Sequence, residues 1–209
     1  WIQLDSLRIE QDESISDSVY EVENKLINPN ANANTQKLFD YLCESYGNVT
    51  LSGQVCNDGL DGDEFKAIYE VTGKYPAIVG LDMMDYTPSR TALGARSNAV
   101  ETAVNFHNSG GIVTFCWHWN APEKYITGKW YSAFYKEHTN IDLEKIMSGE
   151  DKEGYDLLMK DIDAIAKELL RLQEADVPIL WRPLHEASGG WFWWGDAGAD
   201  AYKQLYVLL

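Results

Sequence analysis

The sequence predicts an α/β fold, a (β/α)8 TIM barrel of which these 209 residues supply about the first four βα units. Two observations carry this reading. Four short apolar runs rich in β-favouring residues alternate with segments of helical periodicity, a rhythm that implies parallel pairing through right-handed crossovers. Polar and aromatic residues gather just past the end of each run, where a barrel of this kind builds its active site. A third observation weighs against the main competitor. A doubly wound sheet would typically carry a G-x-G-x-x-G or G-x-x-x-x-G-K-[ST] nucleotide loop, and neither pattern occurs.

In chain order, residues 1–12 begin with Ile2, Leu4, Leu7 and Ile9 alternating with polar positions, the phase slipping once near Asp5. That is a strand in need of a sheet, and the acidic stretch after it offers no hairpin partner. It resembles the last strand of a β-sandwich carbohydrate-binding module; an N-terminal extension packed on the main domain is the alternative. Residues 13–33 read as a connection and 34–209 as the N-terminal part of the barrel. Asn34 or Thr35 can cap a helix running through Leu38, Leu42 and Cys43 to Gly47-Asn48. Val49 to Gly53 reads as the first strand, with Gln54 at its end, and a helix over 64–72 stops at Gly73. Tyr75 to Leu81 is the second strand, leading into Asp82, Asp85 and Tyr86. A helix over about 95–108 ends in Gly110-Gly111. Ile112 to Cys116 is the third strand and delivers Trp117-His-Trp-Asn120. After an aromatic loop holding Trp130, Tyr131, Phe134 and Tyr135, the strongest helical pattern runs over about 155–175, with Leu157, Leu158, Ile162, Ile165, Leu169, Leu170 and Leu172 mostly three or four residues apart. Val177-Pro178 marks the entry to a fourth strand through Ile179, Leu180, Trp181 and Leu184, and a further helix is expected over 199–209.

Composition limits the function. A formal net charge of -16 disfavours a nucleic-acid partner or an anionic membrane surface, both of which call for clustered Lys and Arg. A neutral polymer is compatible with that charge. No apolar run approaches a membrane span, and the chain does not open with a signal-peptide pattern, although a secreted precursor would be its source if it is extracellular, as expected. Cys43, Cys56 and Cys116 lack metal-ligand spacing; free thiols are the reading, with a Cys43–Cys56 bridge left open. His118 and His185 have no zinc-site companions at the usual spacing, so no metal and no cofactor are expected.

The chemistry concentrates after the fourth strand. Arg182, His185 and Glu186 are delivered to one strand end, followed by Gly189-Gly190 and the aromatic block Trp191-Phe-Trp-Trp194. Such a block is costly in a connecting loop unless something apolar and flat packs there, and the face of a sugar ring is such a thing. Glycoside hydrolysis needs one carboxyl group held protonated near neutral pH, which burial against apolar rings achieves. Glu186 is the candidate. A structural Arg182–Glu186 ion pair with the tryptophans as ordinary core is the bland alternative, and the concentration of all these residues in one stretch disfavours it. Strict strand alternation would place Arg182, Leu184 and Glu186 on one face and His185 on the other. If His185 also reaches the site, the backbone must distort near Pro183.

At Arg182-Pro-Leu-His-Glu186 with Trp191-Phe-Trp-Trp-Gly195, the sequence resembles glycoside hydrolase family 26, best known for endo-β-1,4-mannanases. Phe115-Cys-Trp-His-Trp-Asn-Ala-Pro122 and Ile78-Val-Gly-Leu-Asp-Met-Met-Asp-Tyr86 look like that family's third and second strand ends. The resemblance covers roughly residues 34–209. It implies a retaining hydrolase on a (β/α)8 barrel, with Glu186 as general acid/base. Arg182, His185 and His118 would support the subsite of the attacked sugar, Trp191 would stack on a ring, and Trp130 and Trp194 would complete the substrate-binding set. The implied substrate is β-mannan of the plant cell wall, handled by a secreted, multi-modular enzyme. Mixed-linkage β-1,3-1,4-glucan and β-1,3-xylan are alternatives within the family, and a non-catalytic carbohydrate-binding protein is the alternative outside it. A retaining mechanism needs a second carboxylate about 5 to 5.5 Å from the first. In this family it is a Glu at the end of the seventh strand, and no residue here matches it; Asp82, Asp85 and Asp196 are poor substitutes. The expectation is therefore a portion of a longer enzyme, inactive by itself.

Overall fold

The structure is a computed structural model that describes residues 21–209. The strand expected within residues 1–12 lies outside the described residues. The chain divides between Thr50 and Leu51 into two compact units. In the first, helix α1 spans Ala33–Ser45 and is capped by Asn32, whose side chain accepts the Thr35 amide at 2.8 Å. The cap thus falls two residues ahead of Asn34, because the Asn32 oxygen reaches the amide three residues on. Val49, expected to open the first strand, instead closes this helix by donating its amide to the Ser45 carbonyl.

The second unit contains β1 (Gly53–Val55), α2 (Asp63–Thr72), β2 (Ile78–Asp82), α3 (Pro88–Thr91), α4 (Ala99–Asn108), β3 (Ile112–Cys116), α5 (Leu143–Ser148), α6 (Lys152–Glu174), β4 (Ile179–Arg182), α7 (Trp193–Asp196) and α8 (Gly198–Leu208). The strands form one parallel sheet in the order β1-β2-β3-β4. Parallel strands in sequential order, each followed by helix, are part of a (β/α) barrel. Strand β2 begins at Ile78 rather than Tyr75. Pro76 has no amide to give the ladder, and Tyr75 stacks on Tyr69 with centroids 4.6 Å apart. Helix α6 starts at Lys152 because Asp151 caps it, accepting the Gly154 amide at 2.9 Å.

The core lies between the sheet and these helices. Val79 and Leu81 of β2, Val113 and Phe115 of β3, and Leu158, Ile165 and Leu172 of α6 are all buried. Each such side chain contributes about 1.5–3 kcal/mol by leaving water. Along β3 the buried positions alternate, and the alternation persists past the strand end: Val113, Phe115, Trp117 and Trp119 are buried, whereas Thr114, Cys116 and His118 are only partly so. This two-residue period puts the indoles into the core and His118 on the opposite face, beside the site. Cys43, Cys56 and Cys116 are free thiols. Among the described residues no helix is long and apolar enough to cross a membrane.

Candidate active site

Register fixes the floor of the site. Asp82, Cys116 and Arg182 are mutual partners at the C-terminal ends of β2, β3 and β4, so they form one row across the sheet. Two residues beyond Cys116, His118 turns its Nδ1 to Asp82 Oδ2 at 2.5 Å, and its backbone amide donates to Asp82 Oδ1 at 3.1 Å. The Met84 amide donates to the same Oδ1 at 2.9 Å. Burial would raise the Asp82 carboxyl, but the hydrogen bond and charge of His118, with the two amides, outweigh it and hold the group below the usual carboxylate range. The carboxylate in turn keeps the His118 proton on Nδ1 and leaves Nε2 facing His185 Nε2, 3.2 Å away.

His185 reaches this point only because the backbone distorts. After β4 ends at Arg182, Leu184 and Glu186 both adopt left-handed backbone, with φ of 49° and 56°. Each such non-glycine residue costs about 1–2 kcal/mol. Side chains from the following helices take up the displaced carbonyls. Tyr202 Oη donates to the Leu184 carbonyl at 3.2 Å, and Trp194 Nε1 donates to the His185 carbonyl at 3.0 Å. The His185 ring is buried, packed against Phe192 and Trp194. That burial, with His118 and Arg182 nearby, pushes it down to about 4, so it is neutral near pH 7. Its Nδ1 has no hydrogen-bond partner among the described residues. Burial and the charge of Asp82 push the Cys116 thiol up to about 12.

Glu186 emerges from the second left-handed residue and is exposed, not buried under indoles as expected. The turn swings its carboxyl off the sheet end, where it accepts the Trp191 indole N–H at 3.2 Å. The Trp191 ring is 45% exposed and lies over Gly189. A Cβ at Gly189 would sit 2.1 Å from that ring, so only glycine admits this approach. Arg182 is exposed, and no Arg182–Glu186 ion pair forms among the described residues. Trp194 departs from the expected role of a ring offered to substrate. It is fully buried, 4.5 Å from Phe192 between centroids, and supports His185 from beneath. Trp193 is buried too, donating its N–H to the Trp119 carbonyl at 2.7 Å. Trp130 is held elsewhere, in a short turn over 130–132, with its ring 39% exposed.

The sequence profile of glycosyl hydrolase family 26 matches residues 27–209. The chain belongs to this family. It is 44% identical over 212 residues to a mannan endo-1,4-β-mannosidase of Thermothelomyces thermophilus, a match covering all of this chain and 42% of that protein. It is 35% identical to mannan endo-1,4-β-mannosidase B of Piromyces sp., covering 88% of this chain and 33% of the relative. Among solved structures, the Podospora anserina GH26-CBM35 β-(1,4)-mannanase superposes with a TM-score of 0.85 at 46% identity, covering 90% of this chain and 42% of that one. A ruminal GH26 endo-β-1,4-mannanase gives 0.81 at 34% identity, covering 94% and 44%. The chain therefore spans less than half the length of these proteins.

Three supports of this family 26 site went unread in the sequence. Asp82 reads from the sequence as a polar residue after a strand and a poor substitute for the nucleophile; its pairing with His118 depends on the register of β2 and β3. Arg90, buried on α3, donates Nε–H to Asp85 Oδ1 at 2.7 Å and a guanidinium N–H to the Tyr131 carbonyl, and lies 5.7 Å from the Trp130 ring centroid. It thus ties the end of β2 to the aromatic loop. Asn120 adds a second tether, donating to Ser89 Oγ at 3.0 Å and accepting the Ala133 amide at 2.9 Å. Nothing in the local sequence of α3 signals this, since every partner comes from another segment.

Proposed function

We propose that this chain forms part of a secreted, retaining endo-β-1,4-mannanase that cleaves β-mannan of the plant cell wall, with Glu186 as general acid/base. The observation that carries the proposal is the Glu186 carboxyl in the turn after β4, bonded to the exposed Trp191 indole and adjoining the pair of buried His185 and partly buried His118. The names of the relatives supply the substrate. Glu186 protonates the glycosidic oxygen while a second carboxylate attacks the anomeric carbon, expelling the leaving sugar as an alcohol. Glu186 then takes a proton from water, whose oxygen displaces the carboxylate and retains the anomeric configuration. The second carboxylate is assigned to a part of the barrel beyond these four strands, so the 209-residue chain alone is expected to be inactive. Neutral His185, with His118 oriented by Asp82, offers hydrogen bonds to the attacked sugar, and Arg182 supports the same subsite. Trp191 and Trp130 present ring faces. In the same reading, residues 1–12 end a carbohydrate-binding module and 13–33 connect it to the catalytic module.

The test is Glu186→Gln in the full-length enzyme. Turnover on mannan should fall by about 10²- to 10⁴-fold while manno-oligosaccharide affinity changes little. Loss of binding as large as the loss of turnover would sink the assignment. If wild type and variant behave alike, the protein is a carbohydrate binder and not a hydrolase. Faster hydrolysis of lichenan or β-1,3-xylan than of mannan would replace the substrate, as Glu186-dependent hydrolysis by a preparation verified to end at Leu209 would overturn the expected inactivity.

A further inference from the structure

We propose that Cys116, His118 and His185 form a site for a zinc-class divalent cation on the floor of the candidate active site, and that its occupancy blocks the sugar subsite. The blocking rests on the mannanase reading; the ion site does not.

One ligand atom from each of the three residues lies within 4.8 Å of the other two. The two imidazole Nε2 atoms are 3.2 Å apart. Two nitrogens bound at about 2.0–2.1 Å to a tetrahedral ion stand about 3.3 Å from each other, so both rings are already placed as neighbouring ligands. Asp82 completes the arrangement from behind. By holding the His118 proton on Nδ1 it leaves the Nε2 lone pair free, and a carboxylate behind an imidazole orients the ring and strengthens it as a ligand. The His185 ring, packed against Phe192 and Trp194, turns its Nε2 to the same point. Cys116 supplies a soft sulfur, which with two imidazoles selects zinc-like ions over calcium or magnesium. Coordination displaces the thiol proton to solvent. The resulting thiolate and Asp82 offset the cation's charge against nearby Arg182. The His118 side chain is 29% exposed, which gives an ion an entry path and a water the fourth position. Spacing along the chain conceals the set: Cys116 and His118 share a strand end, but His185 arrives 67 residues after His118. Once both imidazoles are ligands, neither is available to a sugar hydroxyl.

Titrating the full-length protein with cobalt(II) should produce a thiolate-to-metal charge-transfer band that saturates at one equivalent and is displaced by zinc. Cys116→Ser should abolish the band and weaken zinc binding by about tenfold or more, judged by competition with a chromophoric chelator. No band in the wild type, or equal zinc affinity in the variant, overturns the site. A measurement without any variant guards against misfolding. Zinc should slow alkylation of Cys116 by iodoacetamide, followed by peptide mass, and magnesium should not; equal rates with and without zinc overturn the proposal. On mannan, zinc should inhibit the wild type and spare Cys116→Ser, each rate being taken relative to the same protein without zinc. Zinc bound through Cys116 with hydrolysis unaffected overturns the blocking alone. Absence of any mannan hydrolysis refutes the mannanase reading and leaves the cobalt spectrum to decide the ion site.

Discussion

Asp161 is buried on α6, where the Trp119 indole N–H donates to its Oδ2 at 2.8 Å. Burial raises its carboxyl from 3.8 to about 7. The unfolded chain therefore ionises this group near pH 4 while the folded chain keeps the proton until about pH 7. The contribution to stability is full below the lower value, falls as pH rises through the window, and is lost above the upper one. The loss is on the order of 4 kcal/mol. In urea melts, the stability of Asp161→Asn relative to the wild type should improve steadily between pH 4 and 8; a constant difference would refute the assignment. Sequence reading placed Asp161 on the long helix without marking it, because its periodicity is that of the apolar stripe and only the Trp119 N–H explains a carboxyl there. The same limit applies to Glu186 and Trp194. Their strand and loop are legible, but which indole faces outward is decided by left-handed turns at Leu184 and Glu186 and by the glycines that follow.

At the scale of elements, the turn after β4 depends on α7 and α8. Its two left-handed residues stay in place because Tyr202 donates to the Leu184 carbonyl and Trp194 to the His185 carbonyl. Replacing Trp194 with Phe keeps most of the packing and removes the N–H, leaving the His185 carbonyl without that donor. The expected cost is about 1–3 kcal/mol by chemical denaturation, with little change in the helical signal. A variant as stable as the wild type would show that the turn needs no such support. The strands and helices themselves were largely readable, since apolar runs and three- to four-residue spacing define them. The sequence located β3 to the residue and α2, α6 and α8 to within a few positions. The misplacements at β1 and β2 have local causes, the use of Val49 as a helix stop and the missing amide of Pro76.

Across the whole molecule, the four-stranded sheet leaves β1 and β4 each with a neighbour on one side only among the described residues. Ile179, Leu180 and Trp181 on β4 are half-buried. A parallel sheet with open edges pairs readily with another chain. The 209-residue polypeptide prepared alone should therefore self-associate in light scattering at micromolar concentration despite its charge of -16, and a longer form that completes the barrel should not; a monodisperse monomer of the 209 residues would refute this. Both the barrel and the four units present were legible, since each unit has its own apolar run and helical stretch.

The indoles are also sorted by depth. Trp117, Trp119, Trp193 and Trp194 are sealed in the core, whereas Trp130 and Trp191 meet solvent. Light emitted by these six indoles thus comes from two populations that a small neutral quencher such as acrylamide distinguishes, reaching the exposed pair and sparing the buried four, with half-buried Trp181 between them. Saccharide seated on those two faces would shield them, so the quenchable fraction of the fluorescence should fall on titration with manno-oligosaccharide. If the two faces bind sugar as proposed, the molecule carries its own optical gauge of occupancy, and no label is required to read it.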